Sequence, residues 1–552
     1  MKKFVLIFSI LVLNINNLFP CTNLAAGKLA TVDGSTMITY SADSYFLFGS
    51  LYHYPAKTYP AGTMLDIYEW DTGKYLGKIP QVEKTYAVIG NMNEFQLTIA
   101  ETTFGGREEL RDTTGIIDYG SLMYITLQRA RTAREAIRIM TSLVETHGYY
   151  SSGESFTIAD PNEVWIMDMI GKGPMNKGAV WVAVRLPDDC VSAHANQARI
   201  TTFPFDDKNN CLYSVDVIAF ARETGYFKGK NKDFSFSDTY APLDYGALRA
   251  CEARVWSFFR QVNPEMEKYV SYIKGESGER MPMWIKPTRK LNVQDFKAIM
   301  RDQYEGTELD ITKGYAAGQY GTKLRLSPLS FTVDGATYYH ERPIATQQTG
   351  FTFVAQMRNW MPPYVGGILW FGVDDAASNI YVPIYCGINA VPNCFSEKNG
   401  TLLEYSPTSA FWIYNTVSNM AYNKYALMMP DIKKVQLHWE TNFHTMITSI
   451  DKAAVGLPEI NAREFLTTFS QTQAENSTAA WKKLGEYLLV KHLDGVIKKE
   501  ENGKFVQNQF AIPPTVIRPG YPEEYLKEMI KQTPGMKAKT QEELDKLKVV
   551  QP

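Results

Sequence analysis

Cys21-Thr-Asn-Leu-Ala-Ala-Gly-Lys-Leu-Ala-Thr-Val-Asp-Gly-Ser-Thr-Met-Ile-Thr-Tyr-Ser-Ala-Asp43-Ser44 is the stretch on which the fold turns. Residues 24–40 read as strand, turn, strand, with an Asp-Gly turn signal inside Val32-Asp33-Gly34-Ser35. Such a hairpin carries Asp43 to the far end of its second strand and back towards Cys21. Upstream, Met1-Lys2-Lys3 and the apolar run from Phe4 to Leu13 have the charged start and hydrophobic centre of a secretory leader. The run is too short to span a bilayer. Cleavage between Pro20 and Cys21 would leave an N-terminal cysteine, with a thiol and a free α-amine on one residue. That amine, with a pKa of about 7.7–8.0, is a base poised near neutral pH. It can take the thiol proton directly or through one water. An acylated N-terminal cysteine also begins bacterial lipoproteins. Asn16-Asn17-Leu18-Phe19-Pro20 lacks the small residues that signal peptidase prefers, and Pro20 stands where a small residue normally precedes a lipoprotein's cysteine, which argues against lipidation.

The remaining composition narrows the class. A chain of 552 residues, 45% hydrophobic, can bury a large core. Its 57 Lys+Arg nearly balance 59 Asp+Glu, and no basic cluster interleaves with aromatics, so no nucleic acid partner is expected. The 33 Tyr and 28 Phe suit a core and the walls of a pocket for a modest-sized ligand. Cysteines stand at 21, 190, 211, 251, 386 and 394, without a CxxC pair, and His438 and His444 are too far apart for HExxH. Neither a metal nor a cofactor is therefore expected. Cys386 and Cys394 are spaced to close a short loop, but a domain of this size does not need a staple.

Further along, residues 85–104 read as strands broken at Gly90-Asn-Met-Asn-Glu94. Asp118 to Gly148 is the clearest helical region. Thr132-Ala-Arg-Glu135 forms a capping box, Ala133, Ala136, Ile137, Met140 and Val144 follow at helical spacing, and Gly148 suits the C-terminal cap. Phe156–Ala159 and Val164–Met167 flank Asp160-Pro-Asn as a second hairpin, and Ala179–Leu186 is a buried-type strand. Tyr245–Arg260 reads as helix, Phe351–Arg358 and Ile368–Val373 as strands, and residues 461–498 as helix. After Asn502 come prolines and a Lys/Glu-rich end, read as a surface extension over 501–552. With no convincing linker, residues 21–500 read as one catalytic unit behind a removable leader at 1–20. No later segment is apolar enough for a membrane span, which makes the expected product exported, periplasmic or secreted. A homo-oligomer is left open.

Beside Cys21, His194 invites a Cys–His reading, but the local signature of papain-type proteases is missing and a free N-terminal amine makes a separate base unnecessary. The Cys-Thr-Asn start, the Asp-Gly-Ser-Thr turn and Tyr40-Ser-Ala-Asp-Ser44 together resemble the C69 family of dipeptidases. These are N-terminal nucleophile hydrolases, related to penicillin V acylase and bile salt hydrolase. Agreeing blocks are Asn93-Glu94 to Glu101-Thr-Thr-Phe-Gly-Gly106, Gln128 to Ile137, Trp181 to Pro187 and His194-Ala-Asn-Gln197. The resemblance runs from Cys21 to about residue 500.

The resemblance implies an α+β chain with the four-layer αββα sandwich of that superfamily and helical C-terminal additions. It makes Cys21 the nucleophile and Asp43 the aspartate that holds the nucleophile's amine. Asn196 becomes the oxyanion donor, worth about 2.7–4 kcal/mol in such a role. Thr103 falls near the oxyanion as a substrate-binding residue. Arg249 and Arg254 lie where the acylases carry an active-site arginine; Arg249 is favoured as catalytic and Arg254 as substrate-binding. Tyr40 stands where those acylases have an arginine, so that arginine's tuning of the thiol does not carry over. The implied activity is cysteine-type hydrolysis of dipeptides or short peptides. The alternatives are an N-acyl amidase of the acylase type and a non-catalytic surface lipoprotein acylated on Cys21.

Overall fold

A computed structural model describes residues 21–533, 535 and 537–548, so the leader expected at 1–20 lies outside the described residues. The chain is of the α+β class and is built on two large antiparallel sheets. Across the first, the strands run Trp284–Ile285, Val191–His194, Asn23–Ala26, Thr36–Asp43, Thr349–Met357, Ile368–Val373 and Val382–Tyr385. Across the second they run Cys211–Tyr213, Ala179–Arg185, Val164–Gly171, Gly153–Ala159, Thr98–Gly105, Met92–Asn93, Val88–Ile89 and His53–Tyr54. Asn23–Ala26 and Thr36–Asp43 touch Thr98–Gly105, and Thr36–Asp43 also touches Gly153–Ala159, so the sheets meet over these central strands.

Covered faces explain why the strands do not alternate apolar and polar residues. Every residue of Thr36–Asp43, Gly153–Ala159, Val164–Gly171 and Thr349–Met357 is buried. A strand buried on both faces reads as a nearly continuous apolar run. Its polar members must find partners inside: Thr39 Oγ1 accepts from the Leu24 N–H at 3.0 Å, and Thr36 Oγ1 donates to the Asp160 carbonyl at 2.6 Å.

The helix expected over 118–148 forms as Tyr119–Leu127 and Ala133–His147. Ala133, Ala136, Ile137, Met140 and Val144 are all buried, against the second sheet. Thr132 caps Ala133–His147 by accepting from the Glu135 N–H, whereas the Glu135 carboxylate returns to Arg131 N rather than to Thr132. Gly148 closes that helix at φ 77°, a region glycine enters without strain. Three long helices, Ala410–Tyr422, Tyr425–Val455 and Glu459–Lys491, pack on one another and on the last strands of the first sheet. None of the described helices is long and apolar enough to cross a membrane. Within the opening hairpin the chain between paired strands is longer than a two-residue turn. Ala26 pairs with Met37, and Gly34, at φ 83°, lies within the nine-residue connection 27–35.

Candidate active site

Cys21 sits where the two sheets meet, one residue before the Thr22–Ser41 bridge that starts the hairpin. Each sheet contributes one neighbour to its thiol. Tyr40, from Thr36–Asp43, places its Oη 3.9 Å from Sγ, and Glu101, from Thr98–Gly105, places Oε1 3.8 Å away. Tyr40 Oη also donates a short hydrogen bond to Glu101 Oε1, closing a thiol–phenol–carboxyl triangle. Burial drives the Cys21 thiol well above its ordinary pKa, and the negative charges of Glu101 and Asp43 push the same way. The resting sulfur is therefore a protonated thiol, and attack requires a base to receive that proton.

Behind Glu101 lies a second buried carboxyl, Glu154, from Gly153–Ala159. The two carboxyls lie within hydrogen-bonding reach of each other. Burial pushes Glu101 up to about 7, and burial with the neighbouring charge of Glu101 pushes Glu154 well above the usual carboxylate range. Thr103 Oγ1 donates to Glu154 Oε1 at 2.9 Å.

Arg254 organises the opposite side. It is fully buried, and its guanidinium donates to five acceptors. Nε reaches the Ala250 carbonyl at 2.6 Å. Nη1 reaches the Cys21 carbonyl and, at 2.9 Å, Thr22 Oγ1. Nη2 reaches the Ala195 carbonyl at 3.1 Å and Asn196 Oδ1 at 2.9 Å. One planar fork thus ties the cysteine to the asparagine. Burial, with the charge of Arg342 nearby, lowers Arg254 to about 10, so it stays cationic at neutral pH.

Asn196 has φ 61°, a left-handed conformation that asparagine tolerates better than most residues. Its Nδ2 donates to the Thr103 carbonyl at 2.7 Å, which ties the loop to the second sheet. The following residues are pinned as well. The Arg199 and Ile200 N–H groups donate to Asp168, and Arg199 forms a buried pair with Glu252 at 2.9 Å.

Asp43 ends its strand beside Cys21, and its backbone N–H hydrogen-bonds the sulfur. The carboxylate accepts from Ser41, from Thr349 at 2.6 Å and, as a buried ion pair, from Arg342. Arg249 does not join this group. It pairs with Glu341 and donates to the Ile273 carbonyl, away from the cavity beside Cys21. The physical reason is a π-helical stretch, Leu248–Glu252, which inserts an extra residue per turn and resets which side chains share a face. His194 is fully buried between Thr102 Oγ1 and Thr157 Oγ1, both at 2.7 Å. Burial lowers it to about 3, so it is a neutral linker between two threonines rather than a partner of the thiol.

A cavity of about 540 Å³ opens on Cys21. Its walls include Tyr40, Asn91, Glu101, Tyr119, Tyr124 and Phe351. A hairpin, Met64–Tyr68 with Tyr75–Pro80, adds Trp70, Asp71 and Thr72 from its tip, with Trp70 stacked on Tyr124 at 4.8 Å. Sequence reasoning missed Glu101 as a neighbour of the thiol, Asn91 and Asp71 as walls of its cavity, and Glu154 as the carboxyl behind Glu101. Glu101 fell inside a quoted block, but only the meeting of the two sheets brings it to Cys21. Among the described residues, all six cysteines are unbridged, Cys386 and Cys394 included, and no three His, Cys, Asp or Glu side chains are grouped to hold a metal ion.

Comparison with known proteins places this geometry in a lineage. A probable dipeptidase of Latilactobacillus sakei is 24% identical over 474 residues, covering 82% of this chain and 90% of that protein. A probable dipeptidase of Salmonella dublin is 24% identical over 412 residues, covering 70% and 86%. Dipeptidase A of Lactobacillus helveticus is 22% identical over 426 residues, covering 73% and 82%. The model of peptidase family C69 matches residues 48–438, which include Glu101, Asn196 and Arg254 and begin after Cys21 and Asp43. A match over most of its length means that the chain belongs to peptidase family C69.

Proposed function

We propose that this protein is an exported dipeptidase in which Cys21, freed at its N-terminus, is the nucleophile. The observation that carries the reading is the position of Cys21 Sγ on the wall of an aromatic-lined cavity, with its carbonyl bound by the guanidinium that also binds Asn196. Family membership and the names of the relatives support the peptidase class. The charged, apolar leader supports export and supplies the cut that would expose the amine. Two antiparallel sheets in contact, with helices packed on each, support the four-layer αββα sandwich.

In this mechanism the α-amine of Cys21 takes the thiol proton as sulfur attacks the scissile carbonyl. The oxyanion is stabilised by Asn196 and by backbone N–H groups. The protonated amine then gives its proton to the leaving amino group, and the C–N bond breaks to leave a thioester. Water, deprotonated by the same amine, hydrolyses the thioester and restores the thiol. Asp43, fixed by Arg342 and Thr349, holds a negative charge beside the residue that becomes an ammonium.

The test combines mass spectrometry of the exported protein with a dipeptide assay. A free N-terminal Cys21, loss of activity in Cys21→Ser and inactivation by iodoacetamide at Cys21 are expected. Full activity with residues still attached before Cys21 would overturn the mechanism.

A further inference from the structure

Trp70 stands in the cavity wall at a position the surrounding residues are built to hold. It lies in the tip of the hairpin formed by Met64–Tyr68 and Tyr75–Pro80, and hydrogen bonds fasten that tip to the start of helix Tyr119–Leu127. The Trp70 N–H donates to Asp118 Oδ2 at 3.0 Å, Ser121 Oγ donates to the Tyr68 carbonyl at 3.1 Å, and Tyr119 Oη donates to Asp71 Oδ1 at 2.9 Å. Asp118 Oδ2 also accepts from the Gly120 and Ser121 N–H groups, so one carboxylate caps the helix and seats the tryptophan. The indole lies on Tyr124 in a stack with centroids 4.8 Å apart, and Tyr52 meets it edge-on at 5.0 Å. Gly120, one turn before Tyr124, leaves the space this needs: a Cβ there would stand 2.6 Å from the Trp70 Cβ and Cγ. Glycine weakens a helix, and here it makes room for the ring.

We infer that Trp70, seated by Gly120, is a specificity-determining residue, and that the enzyme prefers dipeptides whose first residue carries a large apolar side chain. This inference rests on the peptidase reading above and deepens it. Tyr52, Trp70, Tyr124 and Phe351 give the cavity beside Cys21 a box of ring faces and edges, with Leu47 and Met123 also in its walls. An aromatic side chain buried among such rings gains both from the area removed from water and from face and edge contacts. Acidic side chains are turned away. Asp43, Asp71 and Glu101 line the same cavity, and among the described residues no lysine, arginine or histidine does. The neighbouring space decides which residue of the dipeptide is selected. Past Asp71 and Tyr119, which line both, lies a second cavity of about 320 Å³, whose polar walls carry Arg107 and Arg111 among several carboxylates. That polar space suits the leaving residue, which ends in a charged carboxylate. The acyl residue, bonded to Cys21 Sγ in the thioester, keeps the aromatic one.

The experiment compares phenylalanyl-alanine, alanyl-phenylalanine, alanyl-alanine and glutamyl-alanine. In the unmodified protein, kcat/KM for phenylalanyl-alanine should exceed that for alanyl-alanine by about 30-fold or more, and glutamyl-alanine should fall about tenfold or more below alanyl-alanine. Binding is measured separately by calorimetry on the full chain carrying Cys21→Ala, where phenylalanyl-alanine should bind about tenfold tighter than either alanyl peptide. Trp70→Ala should cut the kcat/KM preference to about fivefold or less, whereas Trp70→Phe, which keeps a ring on Tyr124, should retain about half of it and guards against loss of fold. Gly120→Ala leaves every cavity wall chemically intact but lifts the indole from its seat. It should lower the preference to about fivefold or less, with alanyl-alanine turnover within about threefold of wild type. Equal kcat/KM for phenylalanyl-alanine and alanyl-alanine, a preference unchanged in Trp70→Ala and Gly120→Ala, or alanyl-phenylalanine as good a substrate as phenylalanyl-alanine would overturn the inference. If the binding preference holds while the unmodified protein hydrolyses none of the peptides, the aromatic seat stands and the proposed reaction falls.

Discussion

Replacing Arg254 by lysine keeps a positive charge and a long side chain but removes the planar fork. The structure gives the size of the effect. The guanidinium serves five acceptors, on Ala250, Cys21, Thr22, Ala195 and Asn196. An ammonium has three donors around one nitrogen, so at least two buried acceptors lose their partner. At about 1–3 kcal/mol for each unsatisfied buried group, the fold should lose about 2–6 kcal/mol. Catalysis should suffer more than stability alone explains. The lysine nitrogen cannot hold both the Cys21 carbonyl and Asn196 Oδ1 in the places a fork allows. Asn196, the oxyanion donor of the proposed mechanism, loses its orientation, and kcat should fall by about 100-fold to 1,000-fold, the range seen when one such donor is removed. The assay is dipeptide turnover at saturating substrate, beside a urea midpoint and the rate of Cys21 alkylation. A wild-type kcat in Arg254→Lys, with the midpoint unchanged, would refute the idea that this fork couples nucleophile to oxyanion site.

Two further outcomes follow from the buried groups around the site. His194→Gln should leave kcat within about tenfold, because the ring links two threonines and does not receive a proton; a general base would cost about 100-fold to 10,000-fold. The second concerns pH. Glu101 is raised to about 7, so between its unfolded value near 4.5 and pH 7 the folded state binds the proton that the unfolded chain releases. Stability should therefore fall as pH rises through this window, with a slope of at most about 1.4 kcal/mol per pH unit for one proton. Urea midpoints from pH 4.5 to 7.5 should show a flatter profile for Glu101→Gln; an unchanged slope would remove Glu101 as its source.

How far the sequence carries varies by residue. The helix Ala133–His147 was legible because capping and spacing are local, and five named apolar positions are those buried against the sheet. The hairpin pairing Asp160-Pro-Asn with its flanking strands was legible for the same reason. The opening hairpin was read correctly as two strands, but the Asp-Gly signal lies within a longer connection, since Ala26 rather than a residue next to Val32 pairs with Met37. The long helices over 410–455 escaped notice because they are partly buried and lack a clean polar face; Glu440 and Asp451 lie inside, paired with Arg301 and Arg358. At the site, motif order pointed to Cys21, Asp43 and Asn196. The choice between Arg249 and Arg254 depended on a π-helical stretch, which leaves no periodic trace in the sequence. Glu101 and Asn91 were invisible as site residues because their meaning comes from two sheets touching.

Arg254 and Arg342 carry a last consequence, concerning the order in which the chain is made. Cys21 is among the first described residues, yet its carbonyl is bound 233 residues downstream and the Asp43 carboxylate beside it 299 residues downstream. A ribosome that has not yet reached Arg254 carries Cys21 without the guanidinium that binds its carbonyl, and one that has not reached Arg342 carries Asp43 without its buried ion pair. Thr349, which also holds Asp43, arrives later still. Cys21 and Asp43 thus acquire these partners long after they themselves are made, and a chain truncated before Arg254 carries the thiol without them.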